Sequence, residues 1–193
     1  MASDPMKQIP NISLRELKTN NSETMKRLAE ACRYWGFFRL IDLELERGAT
    51  DQVLAAMKIF FNLPHEEKKQ LSRTEKNPWG YFDEELTKNK QDWKEIFDLS
   101  LDHAHPNDQS QTPWTSRLPG FRDTMLQWHK LCETISLTLL ESIMQSLRLP
   151  QGSLAHHFTE DNSSFLRLNH YPICQTPAAP DEDFPTEGHL GIY

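Results

Sequence analysis

Cysteine is scarce in this sequence, and the spacing of its cysteines excludes several kinds of site. The 193 residues contain only Cys32, Cys132 and Cys174, which are widely separated and include no Cys-x-x-Cys pair. An odd number at such spacings argues against a metal or redox role. Cys32 and Cys132 fall on apolar faces of predicted helices, so we expect buried, reduced thiols. A reducing compartment follows, and we expect the protein to be cytoplasmic.

Long apolar runs and clusters of basic residues are also missing. The longest apolar stretches, 55–57 and 59–61, are separated by Lys58 and fall far short of the ~20 residues that a membrane helix needs. The net charge is −7, whereas nucleic acids and anionic membranes attract a basic patch. Residues 1–5 lack the basic start and apolar core of a secretory signal. We therefore expect no nucleic-acid partner and no membrane partner.

The composition that remains suits a soluble, rather polar globular protein with a core. Hydrophobic residues make up 37% and charged residues 25% of the chain. After a polar, loose start at 1–8, residues 9–14 alternate between apolar and polar and predict a strand. A helix capped by Asn20 or Asn21 and ended by Gly36 follows, and 37–41 predicts a second strand. Residues 9–41 are thus predicted to form a β-helix-β unit.

Three further helices can be placed from caps, prolines and apolar spacing. Thr50 is predicted to cap one that stops at Pro64, and Pro64 also starts the next. Residues 72–92 are polar and turn-rich, the apolar segment 93–99 predicts a strand or helical turn, and 103–112 predicts a surface loop. Pro119 opens the longest helix, whose apolar stripe is wide enough to serve as the spine of a core.

The stretch from Ser164 to Cys174 predicts a buried strand that Pro172 ends, because proline has no N–H for the ladder. Alternation of side chains would place Arg167, Asn169 and Tyr171 on one face of this strand. Leu166, Leu168 and His170 would lie on the other face. The first three form a donor-rich row that suits a carboxylate.

This strand resembles one from a known family. Arg-x-Asn-x-Tyr-Pro-x-Cys is similar to the Arg-Met-Asn-Tyr-Tyr-Pro-x-Cys strand of the plant-type, isopenicillin-N-synthase-like Fe(II)/2-oxoglutarate dioxygenases, with His170 where tyrosine is commoner. Four upstream segments match the family in order: Ile9-Pro10-Asn11-Ile12-Ser13-Leu14, Tyr34-Trp35-Gly36-Phe37-Phe38, Phe60-Phe61-Asn62-Leu63-Pro64-His65-Glu66-Glu67-Lys68 and Asp92-Trp93-Lys94-Glu95.

The resemblance implies an α+β fold, with a helical N-terminal region followed by the first strands of a double-stranded β-helix, or jelly roll. We expect the dioxygenase N-terminal region at 9–115, the long spine helix at 116–152 and a truncated start of the jelly roll at 160–193. The missing strands would leave one flank of the long helix and the strand at 164–172 uncovered, as an exposed apolar patch.

The resemblance also implies roles for individual residues. Tyr171 matches the tyrosine that hydrogen-bonds 2-oxoglutarate, Asn169 lies beside the same site, and Arg167 joins them as a candidate cosubstrate contact. Tyr81 follows a glycine in an aromatic loop and is a candidate for touching the small-molecule substrate. The alternative, that Trp79, Tyr81 and Phe82 are core or interface residues, carries more weight. Residues 92–95 are expected to have a structural role.

The iron ligands of the family are not found in the sequence. The family holds Fe(II) with a His-x-Asp pair and a distant histidine, and none of the eight histidines here has aspartate two residues on. His65 has Glu67 at that spacing, but this pair matches an ordinary helix start. His103 with His105, and His156 with His157, are expected to be loop or surface histidines. We therefore predict no metal ligand and no catalytic residue in this chain.

Two classes of function remain open. In the family, His-x-Asp follows shortly after the strand that matches residues 190–192, so we expect the sequence to be the N-terminal portion of a dioxygenase that oxidises or hydroxylates a small organic molecule. By itself it would bind neither Fe(II) nor 2-oxoglutarate and would be inactive. The alternative is a non-catalytic module that acts through protein-protein contact at the exposed apolar patch.

Overall fold

The computed structural model describes residues 8–87, 90–100, 111–158 and 164–173. The predicted loose start lies outside these residues apart from Gln8, and so does most of the predicted loop at 103–112. By their contacts the residues group into two compact units. The first contains Met1–Ala49 and Lys130–Asn162, and the second contains Thr50–His129 and Ser163–Tyr193.

In the first unit, the predicted β-helix-β arrangement is confirmed. β1 (Asn11–Ser13) pairs in parallel with β2 (Arg39–Ile41), and two helices, α1 (Leu14–Lys18) and α2 (Ser22–Glu30), lie between them in the chain. The side chain of Asn21 accepts hydrogen bonds from the first N–H groups of α2, which is the role of an N-cap. Ile12, Leu17 and Leu28 form a buried cluster, against which pack Met25, Phe38, Leu40, Leu139 and Ile143.

A π-helix at Ala31–Trp35 follows α2 directly, and Gly36 ends it with a left-handed φ of 74°. A π-turn has more residues than an α-turn, so it rotates the following side chains off the α-helical stripe. Ala31 is buried, whereas Cys32 is exposed. The expectation of a buried Cys32 is therefore wrong, because the buried stripe runs through Thr24, Leu28 and Ala31 and Cys32 lies at its edge. Cys132, by contrast, is half-buried, and burial raises the pKa of its thiol.

In the second unit, three antiparallel strands form a sheet in the order β3-β6-β7. These are β3 (Gly80–Phe82), β6 (Glu95–Ser100) and β7 (Phe165–His170). Strands β4 (Leu86–Thr87) and β5 (Lys90–Gln91) pair separately. The segment 72–92, predicted only as polar and turn-rich, thus contains short strands. Each of these strands has only two or three residues, too few to show alternation, so pairing with another strand decides its conformation.

Two helices of the second unit begin at or close to the positions that the sequence predicts. α3 (Ala49–Phe61) begins one residue before the predicted cap Thr50, and α4 (His65–Lys69) starts directly after Pro64. Phe60 of α3 lies at the centre of the core. Its ring centroid is 4.8 Å from that of Phe97 and 4.9 Å from that of Phe121, on which it stacks. Phe60 thus packs against the apolar face of the sheet.

The longest helix, α5 (Phe121–Ser146), begins in the second unit and ends in the first. Phe121 and Met125 are buried, as the predicted stripe requires, but Leu147, just past the helix end, is exposed. No helix in the described ranges is long and apolar enough to cross a membrane.

Glycine is required at one position of the sheet. Gly80 has a φ of 116°, and a Cβ built there would lie 2.2 Å from the carbonyl oxygen of Leu71. The neighbouring N–H of Tyr81 donates to that same oxygen at 2.8 Å. The absence of a side chain at Gly80 therefore lets the chain after α4 run directly beside β3.

Candidate functional site

Strand β7 alternates as its sequence predicts. Leu168 is buried and Leu166 is half-buried against the apolar core, while Arg167 and Asn169 are exposed on the opposite face. His170 is half-buried on the core side, where its ring stacks on Phe61 at 5.0 Å. The predicted division of this strand into two faces is confirmed.

Arg167 is held by two carboxylates. Its guanidinium donates from Nε to Asp98 Oδ1 at 2.7 Å and from Nη2 to Asp98 Oδ2 at 2.8 Å, a bidentate pair. Nη1 donates to Glu85 Oε1 at 3.2 Å. The hydrogen bonds to Asp98 raise the pKa of Arg167 above its ordinary value, and its burial opposes this effect. Its guanidinium is therefore engaged within the protein, on the same face as Asn169.

These groups belong to a chain of alternating charges, which we call the charge network: Arg73, Asp98, Arg167, Glu85 and Lys94. Asp98 is 3% exposed, and its Oδ2 also lies 3.5 Å from Nη1 of Arg73. The guanidinium of Arg73 in turn covers the Phe82 ring, 3.6 Å from its centroid. Lys94 forms an ion pair with Glu85. The network joins β6 and β7 to the segments before β3 and β6.

Asn169 lies further along the exposed face of β7, and Tyr171 follows the strand. Tyr171, one residue past the strand, is 44% exposed. Carboxamide and phenol groups are hydrogen-bond donors, and at this exposure both can reach a ligand. Arg167 and Asn169 thus share the exposed face of β7, with Arg167 paired, and Tyr171 follows directly after the strand with an exposed side chain. Their contact with 2-oxoglutarate stays a prediction.

Tyr81 has no exposed surface. Its ring lies among the core residues of the second unit, and its hydroxyl is 3.5 Å from Asp83 Oδ2. Burial raises the pKa of the Tyr81 hydroxyl far above its usual range, and the nearby charges of Glu95 and Asp83 add to the effect. The structural alternative for Tyr81 is confirmed by this burial, while its contact with a substrate stays a prediction.

Two of the family-like segments meet in a buried ion pair that the sequence did not reveal. Lys68 is 5% exposed, and its ammonium donates to Glu95 Oε2 and, at 2.9 Å, to the carbonyl oxygen of Phe61. The residues come from the Leu-Pro-x-Glu-Glu-Lys and Asp-Trp-Lys-Glu segments. The sequence signal that could have suggested the pair is the presence of opposite charges in both segments. The expected structural role of residues 92–95 gains a physical basis.

The histidines are dispersed over the described residues. His65 Nδ1 lies 3.7 Å from Asp83 Oδ2, His129 is buried in α5, and His156 and His157 are exposed on a short 3-10 helix. His103, His105 and His189 lie outside the described residues. In the described ranges, no group of three His, Cys, Asp or Glu side chains could hold a metal ion. This part of the chain does not fit the two histidines and one carboxylate of a facial iron site.

The comparisons with known proteins agree with the resemblance. The profile of the family described as non-haem dioxygenase in morphine synthesis N-terminal matches residues 9–119. An oxoglutarate-dependent flavonoid 7-O-demethylase from Ocimum basilicum is 29% identical over 179 residues, which cover 90% of this chain and 47% of that protein. The chain spans about half the length of the curated relatives it matches.

Solved structures support the same assignment. JOX2, crystallised with 2OG, Fe and JA, is 26% identical with a TM-score of 0.71, over 86% of this chain and 48% of that one. A 2OG-Fe(II) oxygenase family protein from Caulobacter crescentus is 23% identical with a TM-score of 0.75, over 88% and 58%, and shows the fold alone. These neighbours have a jelly-roll fold, of which the described residues here contain only a few strands. The predicted fold class is confirmed, and the chain belongs to the non-haem dioxygenase N-terminal family, whose relatives found here are plant-type 2-oxoglutarate and Fe(II) oxygenases.

Proposed function

We propose that this chain contributes the N-terminal region and one cosubstrate-facing strand to a 2-oxoglutarate-dependent dioxygenase that oxidises or hydroxylates a small organic molecule. The observation that carries the proposal is the exposure of Asn169 on β7 and of Tyr171 directly after it, at the positions that match the family motif. Both would donate hydrogen bonds to a carboxylate of 2-oxoglutarate. Arg167 would contact the cosubstrate only beside its existing pairs with Asp98 and Glu85, which neutralise its charge. Because Tyr81 is buried, it would influence a substrate only through the residues that pack against it.

We further propose that the 193-residue chain by itself is inactive. Its sequence contains no His-x-Asp, and the described residues do not fit an iron site. Two or three partly solvated hydrogen bonds are worth ~0.5–1.5 kcal/mol each, which gives at best millimolar affinity for 2-oxoglutarate once the entropy of association is subtracted.

The purified chain should therefore neither bind Fe(II) stoichiometrically nor release succinate from 2-oxoglutarate. Anaerobic Fe(II) titration with metal analysis tests the first point, and a succinate assay tests the second. Tyr171→Phe is the matched variant, because it removes only the hydroxyl. Turnover of 2-oxoglutarate that disappears in Tyr171→Phe would refute inactivity and reveal an iron site that the His-x-Asp pattern does not describe.

The second candidate is a non-catalytic module that binds another protein through an apolar patch. It is favoured by the exposure of Phe165 and Ile173, 51% and 83%, at the two ends of the β7 region. On the first unit, Leu137 and Leu147 are exposed as well. A contiguous apolar patch formed by such side chains would be typical of an association surface.

Association would appear as species larger than the monomer in sedimentation velocity, together with strong binding of a dye specific for exposed apolar surface. The variant Phe165→Ser with Ile173→Ser should weaken both signals if β7 carries the patch. A wild-type chain that sediments only as a monomer and binds no dye would exclude this candidate.

The remaining partner and compartment assignments are part of the same proposal. Cys32 and Cys132 are free thiols in the structure, which supports a reducing, cytoplasmic compartment. The net charge of −7 supports a small-molecule substrate over nucleic acid or an anionic membrane.

A further inference from the structure

The apolar face of β7 does not by itself fix where the strand lies along β6. Leu166, Leu168 and His170 point to the core, and a shift of β7 by two residues would keep the same faces inward and outward. Such a shift would nevertheless move every side chain along the strand by about 6.6–6.8 Å. The position of Asn169 and Tyr171 therefore needs a second determinant.

The charge network supplies that determinant. Asp98 lies directly opposite Arg167 in the pairing of β6 with β7, and the two form the bidentate pair described above. In a register shifted by two residues, Asp98 would face Phe165 or Asn169 and would lose this guanidinium. Asp98 is almost fully buried, so a shift that leaves its carboxylate only the more distant guanidinium of Arg73 is unfavourable. Arg73, at 3.5 Å, is the other guanidinium paired with it.

Glu85 holds the same arginine from a second direction. It accepts from Nη1 of Arg167 and pairs with Lys94, which precedes β6. A shift of β7 by two residues would carry Arg167 away from both Asp98 and Glu85. The shifted register would lose two ion pairs at once, so the observed register is favoured.

We propose that Asp98 is a positioning residue, which acts through Arg167 to fix the register of β7 on β6 and so the location of Asn169 and Tyr171. The role of those two residues toward 2-oxoglutarate rests on the proposed function. The register itself does not, and it can be measured in the free protein.

The test compares Asp98→Asn with the matched control Asp123→Asn, which changes an exposed aspartate of α5. Nuclear Overhauser effects between backbone protons report which residues of β6 and β7 face each other. The wild-type chain and Asp123→Asn should show one pattern, with Ile96 opposite Asn169 and Phe97 opposite Leu168. In Asp98→Asn these contacts should weaken, and a second set of β7 resonances should appear. A single native pattern in folded Asp98→Asn would overturn the proposal.

A double variant covers the case in which Asp98→Asn does not fold. Asp98→Asn with Arg167→Gln removes both partners, so neither is left as an unpaired charge. We expect it to fold with β7 in more than one register. A single native register in the double variant, or its failure to fold, would overturn the proposal.

Titration of the wild-type chain with 2-oxoglutarate at millimolar concentration separates this proposal from the proposed function. Shifts of the Asn169 and Tyr171 amide resonances test the cosubstrate row. If these shifts are absent while Asp98→Asn still changes the register, the row does not bind 2-oxoglutarate in this chain and the positioning by Asp98 stands. If they are present, they should weaken in the double variant, because Asn169 and Tyr171 are displaced in part of its population.

Discussion

Replacement of Lys68 by methionine should lower the free energy of unfolding by about 3–5 kcal/mol, the usual loss when one partner of a buried ion pair is removed. Methionine keeps an unbranched side chain but leaves Glu95 without its cation and the Phe61 carbonyl without its donor. Because Glu95 retains some contact with water, we expect a value near the lower limit. The midpoint of urea unfolding, followed by tryptophan fluorescence, measures the loss.

Lys18→Met is the matched control for this experiment. Lys18 also forms an ion pair, with Glu44 at 2.9 Å, but both side chains are largely exposed. Solvent screens such a pair, so the unfolding midpoint should not change measurably. Equal effects of the two variants would contradict a special contribution from the buried pair.

Replacement of Phe60 by alanine should lower the free energy of unfolding by about 3–5 kcal/mol. Its neighbours cannot fill the vacated space without losing contacts of their own. The Phe60 ring has no exposed surface and lies within 5.1 Å, centroid to centroid, of the rings of Phe61, Phe97 and Phe121. These three come from α3, β6 and α5, so the cavity would loosen three elements together. Calorimetric or urea unfolding gives the magnitude.

Leu54→Ala provides the comparison on the same helix. Leu54 is exposed, and alanine has a higher helix propensity than leucine. The free energy of unfolding of the variant should therefore equal that of the wild type within experimental error. If Phe60→Ala were as stable as Leu54→Ala, the ring cluster could not be the centre of the core.

Features set by residues close in sequence were predictable. Pro64 separates two helices because it lacks the N–H that a continuous helix needs, and the period of two in β7 follows from strand geometry. The cap at Asn21 is equally local. In each case one side chain or one short repeat decides the conformation, so the local sequence is enough to predict it.

Two features of the structure could not be predicted from the sequence, for different physical reasons. Cys32 lies at the edge of the buried helical stripe of Thr24, Leu28 and Ala31, where apolar spacing alone does not decide between burial and exposure. The pairing of Arg167 with Asp98 joins residues 69 positions apart. Sequence alternation could place Arg167 on the correct face, but it could not show that a carboxylate from β6 occupies its guanidinium.

Both units of this protein are built from two stretches that are distant in sequence, and this has a consequence for synthesis. During translation, the ribosome releases the first stretch of the first unit and then about eighty residues that belong to the second. At roughly 5–20 residues per second, Leu139 and Ile143 emerge several seconds after Ile12 and Leu28, with which they pack. Throughout that interval the nascent first unit keeps apolar side chains in water, so the newborn chain is most exposed to chaperones and proteases before α5 has left the ribosome.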